Sequence, residues 1–469
     1  MNANGFPTIV VNDQNYYNYP GSSFEEKIRN WLMQNYQSEN IGYVLLIGDP
    51  RDPDPLVHGD VLTAYRLGAL RVNYASITID PPENYSDHWY ADLDPNSDWD
   101  MDGDGFPGEF CGDYYLAPEC QSDNYLRPLN SGVHLVPDVF VGRLPIYQNT
   151  VAAQNVLRDY LIKAVWFISQ ENSGSWRTNT LVAGDLFRYY DERRDGECAT
   201  ACLDKTDNSV LGELIKDNYL DPRGHTTMRL YERGEAGYVG TYYYDYAQCP
   251  NAPNEYTRTY CENLGNTNLT ADNFMAQIRN NDYGLVLWFA HGGADGPSRY
   301  LWHDESPIDG LPSRENCTSR EIDRGNGFRF VNHALVVDPS YPTKNRRFFA
   351  FMGSCSNNAW SHGASFAAAN IAETVLAKYA IASIASTAEV WLCSNKTFDS
   401  NGFMMQGISY RFSNKISTYL LGRKTVGQAF FEAKSPLSEY TGVQSKAEFG
   451  NIIHYTLLGD PRLKLKNNM

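Results

Sequence analysis

Six short apolar runs, each closed by glycine, alanine or a polar turn, constrain this chain more than any other feature. They lie at residues 43–48 (YVLLIG), 136–142 (VPDVFVG), 180–184 (TLVAG), 284–290 (GLVLWFA), 348–353 (FFAFMG) and 379–387 (YAIASIAST). A strand with one wet face alternates apolar and polar residues. Runs of this length without alternation read as strands buried on both faces, which requires a parallel sheet covered by helices. Residues 24–37, 150–170, 365–378 and 426–433 carry apolar side chains at spacings of three and four and read as those helices. The fold class is therefore α/β.

At 469 residues the chain can form one to three domains and bury several cores. The polar break Glu171-Asn172-Ser173-Gly174-Ser175 follows the long helix near 150–170, and a new strand begins near Asn179. It divides the chain into an N-terminal α/β subdomain, 1–172, and a second α/β subdomain, 173–469. The fragments at 46–50 (LIGDP) and 457–461 (LLGDP) are alike and suggest one sharply turned strand end in each unit.

The formal net charge of −17 and the lack of any run of five basic residues set nucleic acid aside as a partner. No apolar stretch approaches the roughly 18 residues of a membrane span. Residues 1–4 (MNAN) offer neither a basic region nor an apolar signal core, so the sequence reads as a soluble mature region or a fragment. Of nine cysteines, Cys111 and Cys120, Cys198 and Cys202, and Cys249 and Cys261 form close couples in polar, loop-like sequence. Such couples suit disulfides in an oxidising compartment, with Cys317–Cys393 a candidate fourth bridge. All nine as reduced thiols is the alternative.

In open α/β sheets, ligands bind beyond the carboxyl ends of the strands. Two of the apolar runs end there on reactive side chains: 284–290 leads into His291-Gly292-Gly293, and 348–353 into Ser354-Cys355-Ser356. An imidazole can exchange protons with a thiol and lower its pKa. The glycines admit a substrate carbonyl, and the Gly292 N–H can help to bind an oxyanion. An ordinary buried cysteine and a hydrogen-bonded histidine are the plainer reading of the same residues. His88, His303, His362 and His454 compete for the histidine role.

A second constellation is Asp98-x-Asp100-x-Asp102-Gly103-(five residues)-Glu109, with Asp104 at the seventh position. It fits a twelve-residue calcium loop without flanking helices. Its carboxylates would repel one another without a cation, and the ion's role is structural. Asp92 and Asp94 are candidate additional ligands. No organic cofactor is expected.

A hydrophobic block before His-Gly, followed by another before a small residue and Cys, resembles the caspase–hemoglobinase clan of cysteine peptidases. Segments 87–94 (DHWYADLD), 98–109, 137–145 (PDVFVGRLP) and 457–463 (LLGDPRL) resemble the gingipain family within that clan. The resemblance implies a caspase-like fold of two α/β subdomains with mostly parallel sheets flanked by helices. It implies Cys355 as nucleophile, His291 as general acid/base, and the Gly292 and Cys355 N–H groups as oxyanion donors. Asp185, after the strand at 180–184, matches the family's carboxylate near the histidine; a helix cap or turn residue is its other reading.

The same resemblance places Trp391 and Thr387 at the substrate pocket and suggests cleavage after Arg or Lys. Asp191, Glu192, Asp195 and Glu197 are candidate partners for the basic side chain. The expected protein is an extracellular or cell-surface cysteine endopeptidase acting on protein or peptide. A propeptide or C-terminal domain, as gingipains often carry, is not visible in this sequence. A transpeptidase of the same fold and an inactive calcium-stabilised surface or adhesion module are the alternatives.

Overall fold

The computed structural model describes residues 7–48, 50, 66–67, 84–99, 133–147, 150–169, 174–188, 206–231, 267–269, 271–294, 296–299, 328–329, 345–358, 370–387, 390, 397–398, 404–406, 408–422, 424–439 and 453–465. All six apolar runs supply strands of one nine-stranded sheet. In chain order its strands are β1 (Tyr43–Ile47), β2 (Phe140–Leu144), β3 (Asn179–Gly184), β4 (Thr226–Tyr231), β5 (Thr267–Asn268), β6 (Leu285–Phe289), β7 (Phe348–Gly353), β8 (Ala380–Ser386) and β9 (Tyr455–Gly459). Their spatial order is β1-β2-β9-β8-β7-β6-β3-β4-β5. Every pairing is parallel except β8 with β9. That antiparallel joint separates a parallel block of six strands from one of three.

The central strands are buried on both faces, as unbroken apolar sequence requires: every residue of β6, β8 and β9 is buried. Helices α1 (Phe24–Asn35), α2 (Val151–Ser169), α3 (Asn208–Ile215), α4 (Ala271–Asn280), α5 (Ile371–Lys378), α6 (Ile408–Leu421) and α7 (Val426–Glu439) accompany the sheet. This is the mostly parallel α/β architecture expected of a caspase-like fold. No helix among the described residues is long and apolar enough to cross a membrane.

Three boundaries differ from the sequence reading. The run at 136–142 becomes strand only from Phe140. Pro137 has no N–H to give a ladder, and the Asp138 carboxylate turns aside to accept the Leu93 N–H at 2.8 Å. The helix read at 365–378 is described from Ile371, after Asn370 caps it by accepting the Glu373 N–H at 3.0 Å; residues 359–369 lie outside the described set. The last helix continues past Ala433 to Glu439, through Pro436.

Strand β4 (TTMRLY) has no counterpart among the apolar runs, because polar residues interrupt its apolar ones. The second LLGDP-like end also lies elsewhere than expected. β9 is the last strand in sequence, yet it pairs with β2 (Leu458 opposite Arg143), so the two similar strand ends flank β2 in one block.

The three-strand block holds a buried polar core. A short 3-10 helix, Asp87–Tyr90, has all four residues buried. Arg143 on β2 grips Asp87 through Nε, 3.0 and 3.1 Å from its two oxygens, and through an Nη2 contact of 2.7 Å. Lys434 on α7 is also buried. Its ammonium donates to the Tyr455 carbonyl at 2.9 Å and lies 4.0 Å from the centre of the Phe430 ring. Burial pulls its pKa well below the usual ammonium range, against the Asp87 charge, which raises it.

His88 in this core is held neutral: burial first, then the Lys434 charge, lower its pKa to about 3. Its Nε2 sits 3.0 Å from the His134 carbonyl, and its Nδ1 has no partner among the described residues. The unfolded histidine takes up a proton below about pH 6.5, whereas the folded one does so only near 3. Stability from this group is therefore lost as pH falls through that window, by about 1.4 kcal/mol per unit. Urea melts at pH 6.5 and 5.5 should show that loss, and His88→Gln should remove most of it.

Candidate active site

Three neighbouring strands end on one rung. Gly184 of β3 is paired with Phe289 of β6, and Phe289 with Gly353 of β7. The rung is closed beyond the strands by Asp185 N–H to the Phe289 carbonyl (3.1 Å) and Ala290 N–H to the Gly353 carbonyl (3.2 Å). Just past it the chain places Asp185, His291 and Cys355. Adjacent strands lie about 4.8 Å apart, so Asp185, His291 and Cys355 occupy backbone positions just past neighbouring strand ends, at the carboxyl edge of the sheet.

His291 begins a hairpin in which His291–Gly293 pairs with Gly296–Arg299, His291 lying opposite Ser298. Its burial is intermediate, as is that of Cys355. Cys355 is a reduced thiol on a tight turn. Ser356, the next residue, has φ of +51°, a left-handed conformation that only surrounding contacts can hold for a residue with a side chain. The Cys355 Sγ lies 3.5 Å from both the backbone N and O of Val390.

Gly292 joins the two halves of the site. A Cβ built on it would stand 2.4 Å from the Cys355 carbonyl oxygen, 2.8 Å from Asn357 Nδ2 and 2.8 Å from Ser354 Cβ. Only glycine allows the backbone after His291 to press this closely on the cysteine turn. By contrast, a Cβ on Gly293 would meet nothing within 4 Å.

Asp185 is fully buried. One carboxylate oxygen accepts the His291 backbone N–H at 3.1 Å and the other accepts Asn208 Nδ2 at 2.6 Å. Its carbonyl accepts the Asn208 N–H at 3.0 Å, tying the start of α3 to the same corner. Asp185 thus fixes the main chain that carries His291.

The remaining expected residues are less central. Thr387 is buried, and its Oγ1 donates to the His454 carbonyl at 3.0 Å, so that hydroxyl holds the loop after β8. Trp391 lies outside the described residues, as do Asp191, Glu192, Asp195, Glu197, His303 and His362. The cysteines that are candidates for disulfides, Cys111, Cys120, Cys198, Cys202, Cys249, Cys261, Cys317 and Cys393, also lie outside. Of the competing histidines, His88 sits in the core of the other block, and His454 is buried.

For the calcium loop, Asp98 is described and lies at the surface. Asp100, Asp102, Asp104 and Glu109 are outside the described residues. Asp92, a candidate additional ligand, has one ligand atom within 4.8 Å of those of His134 and Asp138. Its carboxylate accepts Ser97 Oγ (2.7 Å), Trp99 Nε1 (2.7 Å), the His134 N–H (3.0 Å) and the Asp94 N–H (3.3 Å). One Asp94 oxygen takes both the backbone N–H and the side-chain amide of Asn96 at 2.9 Å.

Three further residues at the site, Asn357, Ser354 and Trp288, lie beneath the cysteine turn and are buried. One signal was present. A tryptophan within an otherwise apolar strand needs an acceptor for its indole N–H, and here that N–H reaches Ser354 Oγ and Asn357 Oδ1, each at 3.2 Å.

Residues 1–466 match the model of peptidase family C25. No curated protein matches the chain in sequence. Among solved structures, the crystal structure of the Arg specific cysteine proteinase gingipain R is 15% identical, covers 96% of this chain and 70% of its own, and gives a TM-score of 0.51. Another, described as "Structure of Protease", is 10% identical, covers 97% and 71% respectively, and gives a TM-score of 0.48. With a family match across nearly its full length, this chain belongs to peptidase family C25, the gingipain family, and is a cysteine-type peptidase.

Proposed function

We propose that the protein is an extracellular or cell-surface endopeptidase that hydrolyses peptide bonds with Cys355 as nucleophile and His291 as general acid/base. The observation that carries this reading is the shared rung Gly184–Phe289–Gly353, beyond which the neighbouring strands present Asp185, His291 and Cys355. His291 takes the Cys355 proton as sulfur attacks the scissile carbonyl. The Gly292 and Cys355 N–H groups receive the oxyanion. The C–N bond breaks, and the amine leaves with the proton from His291, giving a thioester. Water, deprotonated by His291, then attacks the thioester, releases the carboxylic acid and restores the thiol. Asp185 acts through the His291 main chain as a positioning residue.

Cleavage after Arg or Lys is supported by the acids at 191, 192, 195 and 197 and by the Arg specificity named for gingipain R. Trp391 directly follows Val390, whose backbone touches the Cys355 thiol, which supports a role for it at the pocket. Matched fluorogenic peptides test the specificity: the Arg and Lys substrates should be cut fastest. Turnover confined to Asn, Asp or apolar residues would refute it.

Calcium held by Asp98, Asp100, Asp102, Asp104 and Glu109 would supply structural cross-linking rather than chemistry, and alternating carboxylates are the right donors for it. The surface position of Asp98 is compatible with that role. A calcium loop and paired cysteines both suit an oxidising, calcium-rich exterior. EGTA should lower the melting temperature by about 5 °C or more, with recovery on adding calcium. An unchanged melting curve would remove the ion from the account.

A further inference from the structure

We infer that Asn357 is a positioning residue for the oxyanion site, its carboxamide locking the His291-Gly292-Gly293 segment to the Cys355 turn. The inference rests on the reading of Cys355 and His291 as the reacting pair and adds a residue to that site.

Asn357 is fully buried two residues after the cysteine. Its Nδ2 donates to the Gly293 carbonyl at 2.9 Å and to the Cys355 carbonyl at 3.2 Å. Its Oδ1 accepts the Trp288 indole N–H at 3.2 Å and contacts the Ser354 hydroxyl. A primary amide has two N–H donors and two acceptor sites, and all four are satisfied here. The orientation is forced as well. An indole nitrogen only donates and a carbonyl only accepts, so a flipped amide would oppose like groups on both sides.

The bridge falls where the chemistry needs rigidity. Two peptide N–H groups from different strands, Gly292 and Cys355, must converge on one oxygen atom. The nine-stranded ladder does not reach them, since both lie past its last rung, and the hairpin that pairs Gly292 with Pro297 does not include the cysteine turn. Asn357 closes that gap by holding the carbonyl of one segment and the carbonyl of the other with a single planar group. The close approach of Gly292 to Asn357 Nδ2 and to the Cys355 carbonyl locates the clamp against the donors themselves. The backbone of Asn357 is anchored in turn: its carbonyl accepts the Ala372 N–H of α5 at 3.1 Å. These contacts also account for the left-handed Ser356 between nucleophile and clamp, a conformation that costs about 1–3 kcal/mol and persists only when its surroundings over-determine it.

The test separates the oxyanion site from the thiol. Alkylation of Cys355 by iodoacetamide needs the thiolate but forms no oxyanion, whereas peptide cleavage needs both. Asn357→Asp keeps the shape and sets a carboxylate oxygen against two carbonyl oxygens. It should lower kcat about 100-fold on a peptide the wild type cuts, with KM and the alkylation rate each within about 3-fold of wild type.

Trp288→Phe is the second variant. It removes one donor to Oδ1 while keeping the ring in the core, and should lower kcat several-fold with the same unchanged alkylation rate. It decides the matter if Asn357→Asp does not fold. Unchanged kcat in the folded variants, or alkylation falling in step with kcat, would overturn the assignment. Cleavage that persists in Cys355→Ala would be a different failure, that of the nucleophile itself.

Discussion

Gly292→Ala should lower kcat by on the order of 10²- to 10³-fold while the protein stays folded. The added methyl would stand 2.4 Å from the Cys355 carbonyl oxygen, a backbone atom that cannot swing aside as a side-chain tip would. Either the His291 segment or the cysteine turn must retreat. Each carries one proposed oxyanion donor, so the retreat separates two groups that must meet on one atom. A displacement near 1 Å at a reacting centre can reduce rate about 100-fold, and loss of an oxyanion donor has a similar or larger effect. Gly293→Ala is the folding control, because its methyl meets nothing within 4 Å. Steady-state kinetics beside thermal melts would check the prediction. A Gly292→Ala enzyme within 3-fold of wild type would mean that this approach plays no part in catalysis.

Asp87→Ala should destabilise the protein by about 3–5 kcal/mol, because it strands a fully buried guanidinium. Arg143 has no access to water, and Asp87 meets it through both carboxylate oxygens. Burial alone would lower the Arg143 pKa, yet the Asp87 charge and hydrogen bonds raise it on balance, so the arginine stays charged. Removing the acid leaves that charge without its partner. Replacing both residues, Asp87→Leu with Arg143→Met, should recover most of the loss, since a packed apolar pair is often as stable as a buried ion pair. Urea unfolding of the single and double variants measures both. A single variant losing less than about 1 kcal/mol would place the pair among interactions that contribute little.

This ion pair also explains why the family was legible in scattered fragments. Asp87 lies in DHWYADLD and Arg143 in PDVFVGRLP, and Leu458, opposite Arg143, lies in LLGDPRL. Gly142 packs so closely on this last segment that a Cβ would stand 2.3 Å from the Gly459 carbonyl oxygen. Segments more than 300 residues apart in sequence converge around β2, and each needs particular side chains there.

The buried strands could be read because apolar runs record burial locally. β4 could not, since TTMRLY mixes polar and apolar residues and only Leu230 and Tyr231 are buried. The place of β9 was hidden for a different reason: strand order in a sheet is a long-range fact with no local signature. His291 and Cys355 were visible because each follows a strand. Asn357 was not, because its partners include Trp288, 69 residues away, and a polar residue in a turn looks the same whether it is solvated or clamped.

Peptide cleavage by Cys355 with help from His291 can be tested directly. The most direct test mixes the reduced protein, in buffer containing calcium, with a peptide library and reads cut sites by mass spectrometry, beside Cys355→Ala and His291→Ala. The wild type should give a defined set of cuts, Cys355→Ala none, and His291→Ala a rate reduced by about 10²-fold or more. The same cuts from folded Cys355→Ala, or none from folded wild type, would contradict Cys355 as the nucleophile.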